Sequence, residues 1–159
     1  MATMKEAAED FLAQKRIAVA GVSREAGSGH GGNVVYQRLR ERGYEVFAVN
    51  PNAEEVMGDK AYPDLASIPL GVEGVVIATH PDVAEDVMAQ AANVGVKRVW
   101  MHRGPGAGSV SESAAELGRE WGLTVIPGGC PLMYGPTSDG PHKGMRWVLN
   151  LFGKIPKQI

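Results

Sequence analysis

Histidine and cysteine residues recur in this chain where apolar runs end. His80 follows one such run, His102 the next, Cys130 the last, and His30 lies in a glycine-rich stretch near the start. Brought to one edge of a sheet, a Cys/His set of this kind binds zinc or iron, or pairs a thiolate with a base for acyl transfer. None of the four shows the short paired spacing of a zinc site, so no metal ligand and no catalytic residue is assigned. The plainer reading makes Cys130 a small packing residue and the histidines polar groups on the rim. The second chemical feature is the stretch Gly21 to Gly32, with five glycines, Ser23, Ser28 and Arg24. A glycine-rich loop that leaves a buried strand and enters a helix offers backbone N–H groups and the positive end of a helix dipole, which suit a phosphate. The alternative is a surface loop that holds no ligand.

The elements that would position these residues follow from periodicity. Met4, Ala7, Ala8, Phe11 and Leu12 repeat at helical spacing, so the chain opens with an amphipathic helix ending near Gln14 or Lys15. Arg16 to Ala20 is a short apolar run that stops at Gly21, as a buried parallel strand would. Asn33 to Arg42 reads as a helix with Asn33 as N-cap, Val34, Val35 and Leu39 inward, and Gly43 just past its end. Further strands are expected at Tyr44–Val49, Gly74–Thr79, Lys97–Met101 and Leu123–Ile126, and a Gly/Pro-rich connection from Gly58 through Tyr62-Pro63 to Ile68-Pro69. Helices are expected from Pro81 to about Asn93 and from Ser109 to Trp121.

Strands alternating with helices predict an α/β fold: a three-layer, Rossmann-like, doubly wound sheet, mainly parallel, of about five strands, with ligands at the strands' carboxyl ends. Residues 1–159 are read as one domain, with a core over about 11–133 and a C-terminal extension over 134–159. The extension carries His142-Lys143-Gly144-Met145-Arg146-Trp147 and an amphipathic stretch to Phe152. Lys143 or Arg146 reaching a ligand phosphate is one reading of it, and a solvated face over packed Trp147, Val148 and Leu151 is the other. The apolar faces of the first and last helical segments raise a homodimer as a partner.

Composition narrows the function. Sixteen basic and eighteen acidic residues leave a net charge of −2, so no global positive field holds nucleic acid or an anionic membrane. The one cysteine permits no intrachain disulfide, the N-terminus has no apolar signal region, and no apolar run approaches a membrane span. A cytoplasmic protein is expected. The first loop departs from G-x-G-x-x-G, because Gly21-Val22-Ser23 places serine where the second glycine belongs. The second strand ends in Val49-Asn50-Pro51 rather than in the acid that holds the ribose of NAD. Both features count against NAD.

Val19-Ala20-Gly21-Val22-Ser23-Arg24, Val49-Asn50-Pro51, Gly58 with Tyr62-Pro63 and Ile68-Pro69, Val99-Trp100, and Cys130-Pro131 occur together in this order. The combination resembles the small stand-alone coenzyme A-binding proteins, whose domain is similar to the CoA-binding domain of succinyl-CoA synthetase α subunits. The match covers about Phe11 to Met133. The resemblance implies that the first loop holds the CoA pyrophosphate, with Gly21, Ser23 and Arg24 on that motif, and that Asn50 and Pro51 lie beside the adenosine portion. Many relatives place a basic residue just after that proline and arginines after the third strand; this chain has Asn52 and Thr79-His80 there.

The candidate ligand-binding residues are therefore Gly21, Val22, Ser23, Arg24, Gly29, Gly32, Asn33, Asn50, Pro51, Thr79, His80, Pro81 and His102. The expected ligand is coenzyme A or an acyl-CoA, in a non-enzymatic or accessory role. An NAD(P)-dependent oxidoreductase, or a CoA-linked acyl-transfer enzyme using His80, His102 and Cys130, is the competing reading.

Overall fold

A computed structural model describes residues 3–24, 31–103 and 108–134. Gly29, His30 and the C-terminal extension from residue 135 lie outside the described residues. Thr3 opens the first helix with a reciprocal capping box: its hydroxyl accepts from the Glu6 N–H at 3.2 Å, and the Glu6 carboxylate accepts from the Thr3 N–H at 2.8 Å. That helix, α1 (Met4–Leu12), buries Met4, Ala7, Ala8, Phe11 and Leu12, the face its spacing predicts. The face that sequence left for a second copy of the chain is thus used on this chain's own sheet.

Seven strands form one sheet: β1 (Arg16–Ala20), β2 (Glu45–Val49), β3 (Glu55–Val56), β4 (Asp59–Tyr62), β5 (Gly74–Ile77), β6 (Arg98–Met101) and β7 (Thr124–Pro127), in the spatial order β3-β4-β2-β1-β5-β6-β7. All neighbours pair in parallel except β3 with β4. The six parallel strands have the doubly wound order, with the reversal between β1 and β5. Helices α2 (Gly32–Glu41), α3 (Pro81–Asn93) and α4 (Glu112–Glu120) complete the layers. Alternation along β1 divides the core: Ile17 and Val19 pack with α1 and α2, while Ala18 and Ala20 pack with α3 and α4. Phe11 stands edge-on to Trp100, 5.4 Å between centroids, and joins α1 to the buried middle of β6.

Three expectations need correction. The sheet has seven strands rather than about five, because the Gly/Pro-rich connection contains the β3–β4 hairpin. Its two-residue turn, Met57-Gly58, has positive φ at both positions, as a tight hairpin matched to strand twist requires. Val34 points outward, half exposed, and Tyr36 takes the buried place beside Val35 and Leu39. Asn33 is not the N-cap of α2; Gly31 is, and the Asn33 side chain is used elsewhere. Among the described residues, no helix is long and apolar enough to cross a membrane.

Tyr36 ties α2 to the hairpin edge. Its hydroxyl donates to Asp59 at 2.8 Å, and Asp59 also pairs with Arg40. Burial, reinforced by the Asp59 carboxylate, pushes the Tyr36 phenol up to about 12. A raised value means that the neutral phenol's contribution is complete below the unfolded value near pH 10 and is lost as pH rises through the folded value. Tyr36→Phe should cost about 1–2 kcal/mol at pH 7. Urea unfolding at stepped pH should then show the gap between the two proteins closing from pH 10 to 12; a constant gap would contradict the assignment.

Candidate functional site

The site begins where β1 ends. Gly21 turns the chain with φ +101, and a Cβ there would lie 2.2 Å from the Ala78 carbonyl oxygen. No other residue fits. A Cβ on Gly32 would lie 2.8 Å from the Gly21 carbonyl oxygen, so the start of α2 rests directly on the turn after β1. The N-cap Gly31 adopts φ +88 and, as a glycine, gives the first N–H groups of α2 no side-chain cap of its own. This end of α2 carries the positive dipole end beside the first loop.

Asn33 and Asn50 hold that loop from two sides. The Ser23 N–H donates to Asn33 Oδ1 and Asn33 Nδ2 donates to the Ser23 carbonyl, both at 2.8 Å. Asn50 Nδ2 donates to the Val22 carbonyl at 3.0 Å, while Asn50 Oδ1 accepts from the Asn52 N–H at 2.8 Å. Each asparagine uses both ends of its amide, so its position is determined as well as the loop's. The Asn50 N–H also donates to the Tyr62 carbonyl at 2.9 Å, which joins the end of β2 to β4.

A cavity of about 210 Å³ opens at the carboxyl ends of β1 and β2, across the reversal of strand order. Gly21, Val22, Ser23, Asn50, Pro51 and Thr79 line it, six of the residues singled out from sequence. Its far wall is α3, which contributes Val83, Asp86, Val87 and Gln90, with Pro63 closing the side. These wall residues were missed. Their spacing of three, one and three residues is one face of a helix, a signal present in the sequence but meaningful only once α3 is known to lie across the strand ends. Gln90 fixes that wall: its Nε2 donates to Asp86 at 3.1 Å and its Oε1 accepts from the Leu65 N–H at 3.1 Å.

The other described candidates lie apart from the cavity lining. Gly32 and Asn33 stand behind the loop and shape it. Arg24 is exposed at its far end. Pro81 opens α3, and His80 is its N-cap, exposed, with Nδ1 accepting from the Asp82 N–H at 3.3 Å. His102 is buried against Gly31, where a Cβ would come within 2.9 Å of the imidazole. Cys130 is buried in the core on the α1 and α2 side. One histidine thus caps a helix in solvent, one packs at the start of α2, and the cysteine lies in the core shared by α1 and α2. Among the described residues, no three His, Cys, Asp or Glu side chains form a metal-holding group.

A doubly wound sheet with a glycine turn under a helix N-terminus, and a cavity at the reversal of strand order, defines a Rossmann-like nucleotide-site architecture. Residues 15–136 match the family described as CoA binding domain, and the chain belongs to that family. It is 34% identical over 139 residues to "Acetate--CoA ligase [ADP-forming] II" of Archaeoglobus fulgidus, which covers 82% of this chain and 19% of the ligase. The chain thus spans about a fifth of that relative's length and is homologous to its CoA-binding region. It is 33% identical over 126 residues to the uncharacterized protein YneT of Bacillus subtilis, covering 76% of this chain and 85% of YneT. Among solved structures, Prb, a protein redesigned for binding, superposes with a TM-score of 0.73 at 30% identity over 96% of this chain and 94% of that one. A hypothetical protein from Pyrococcus horikoshii OT3 superposes with a TM-score of 0.74 at 29% identity, covering 89% and 92%.

The Asn33 clamp is open to a direct test. Asn33→Ala removes both bonds to Ser23 and should cost about 2 kcal/mol in stability. Asn33→Asp keeps the acceptor for the Ser23 N–H but loses the donor to its carbonyl, and should fall between the two in urea unfolding. Equal stability of all three proteins would show that the clamp contributes nothing.

Proposed function

We propose that this protein binds coenzyme A or an acyl-CoA, with the pyrophosphate at the first loop and the adenosine in the cavity beside Asn50 and Pro51. The observation that carries the reading is the cavity itself, which opens where Gly21 to Ser23 meet the ends of two parallel strands. Family membership supports the ligand. At about 210 Å³ the cavity is smaller than sites that enclose a drug-sized molecule, so it would take one end of the coenzyme and leave the pantetheine arm along the surface. Gly21, Val22 and Ser23 would form the turn under the pyrophosphate, with the N–H groups at the start of α2 facing its charge. Arg24 and Gly29 belong to the same loop. Gly32, Asn33 and Asn50 would act through that loop as positioning residues. Thr79, His80 and Pro81, at the β5–α3 junction, would border the adenosine, and His102 would steady the start of α2.

The role that fits is accessory binding, with residues 1–159 read as one domain. Its support is membership of a family described by its binding of the coenzyme. The acetate–CoA ligase likeness concerns the region that in that enzyme is the CoA-binding one, and a ligand-holding role is what carries over.

Isothermal titration with CoA, acetyl-CoA, NAD and NADP tests this reading. Saturable CoA binding is expected, and at 100 times Kd the ligand should stabilise the fold by about 2.7 kcal/mol. Binding of NADP with a flat CoA titration would overturn it. Val83 is partly exposed and lines the cavity, so Val83→Glu should lower CoA affinity at least about tenfold while leaving unfolding within roughly 0.5 kcal/mol of the parent, as surface substitutions do. Unchanged affinity in that variant would place the adenosine elsewhere.

A further inference from the structure

We infer that the adenosine end of this site selects a ribose with free hydroxyls, so that the dephospho form of coenzyme A binds more tightly than coenzyme A itself. The inference rests on the proposed site and specifies its ligand class: an adenosine 5′-diphosphate ester without a ribose phosphate. In doubly wound sheets the ribose lies just beyond the second strand, where an acidic side chain accepts from its hydroxyls and a basic one accommodates a ribose phosphate. Here that region opens into a wider cleft of about 890 Å³, which shares Pro51 and Pro63 with the cavity. Glu54, Glu55 and Lys60 line the cleft, and Asp86 lines the cavity.

Among the described residues, three carboxylates therefore border this end of the site against one ammonium. Lys60 is not aimed purely at the open space: its Nζ lies 5.2 Å from the centre of the Tyr62 ring, and Glu55 is its cross-strand partner. Asn50 is committed at both ends of its amide, to the Val22 carbonyl and the Asn52 N–H. Asp86 is held by Gln90, which in turn accepts from the Leu65 N–H. A ribose phosphate would bring a charge of about −1.5 to −2 to this border. Like charges repel it, and the Asp86 carboxylate is an acceptor that offers a phosphate no hydrogen bond. Ribose hydroxyls behave oppositely, since a carboxylate is an acceptor and a hydroxyl can donate to it.

Parallel titrations of the whole chain with coenzyme A and dephospho-coenzyme A read the preference directly. At low salt, dephospho-coenzyme A should bind at least about threefold more tightly, and the ratio should shrink when added salt screens the carboxylates. Coenzyme A bound equally or more tightly overturns this inference and leaves the proposed site intact. No saturable binding of either ligand overturns both. The Glu54→Gln/Glu55→Gln protein removes two of the three charges at exposed positions and should recover coenzyme A affinity by about threefold or more, with a smaller change for the dephospho form. Recovery equal for both ligands, or none for either, would show that these carboxylates do not read the ribose phosphate.

Discussion

The contact on which the site depends is between two stretches of backbone. The turn at Gly21 passes under the first residue of α2 so closely that a single carbon on Gly32 would meet the Gly21 carbonyl, and a single carbon on Gly21 would meet that of Ala78. Three elements, β1, α2 and the end of β5, are thereby brought to van der Waals distance at one point. Without that approach the start of α2 would stand away from the strand ends and from the first loop. Packing elsewhere in the core serves to keep this point fixed: Val22 is fully buried beneath it, β5 is buried along its length, and β2 is buried at Ala48 and Val49.

Polar side chains then carry the approach outward. Asn33 and Asn50 each replace a missing backbone partner for a loop that is neither helix nor strand, and buried or half-buried loop backbone needs such partners. Gln90 does the same for the short turn before β5. Tyr36, Asp59 and Arg40 fasten the hairpin edge to α2, so the cleft beyond Pro51 is bounded by a strand pair that is short but anchored. Glu73 performs a similar task at the opposite end of the sheet, where its carboxylate accepts from the Lys15 and Arg16 N–H groups, bonds that hold its carboxyl below the usual range.

The chemistry of the site is consequently that of a backbone and amide cradle bordered by acids. Such a surface would favour a ligand whose phosphates meet N–H groups and whose remaining polar atoms are donors, and in the proposed site the carboxylates around Pro51 would sharpen that preference. The histidines and the cysteine, although each follows a strand, are divided between solvent, the start of α2 and the core. A strand end points a side chain to one face or the other according to a single residue's register, so shared position at the carboxyl edge does not by itself place side chains in one site.

Alternating apolar runs and helical repeats were enough to establish the α/β class, four helices in the described chain, five of the strands and the glycine turn after β1, because local periodicity and Gly/Pro chemistry are local properties. The motif order from Gly21 to Pro131 was enough for the family. The hairpin at Glu55–Tyr62 was not legible: β3 has two residues, β4 pairs with β2 at only two positions, and neither run is apolar enough to stand out. Asn33 looked like a cap because capping and loop-bridging asparagines have the same local sequence, and only the place of Ser23 distinguishes them. The α3 wall of the cavity, the different surroundings of His80, His102 and Cys130, and the carboxylates around Pro51 were decided by tertiary structure alone, since each depends on which segments a parallel sheet brings side by side after long crossovers.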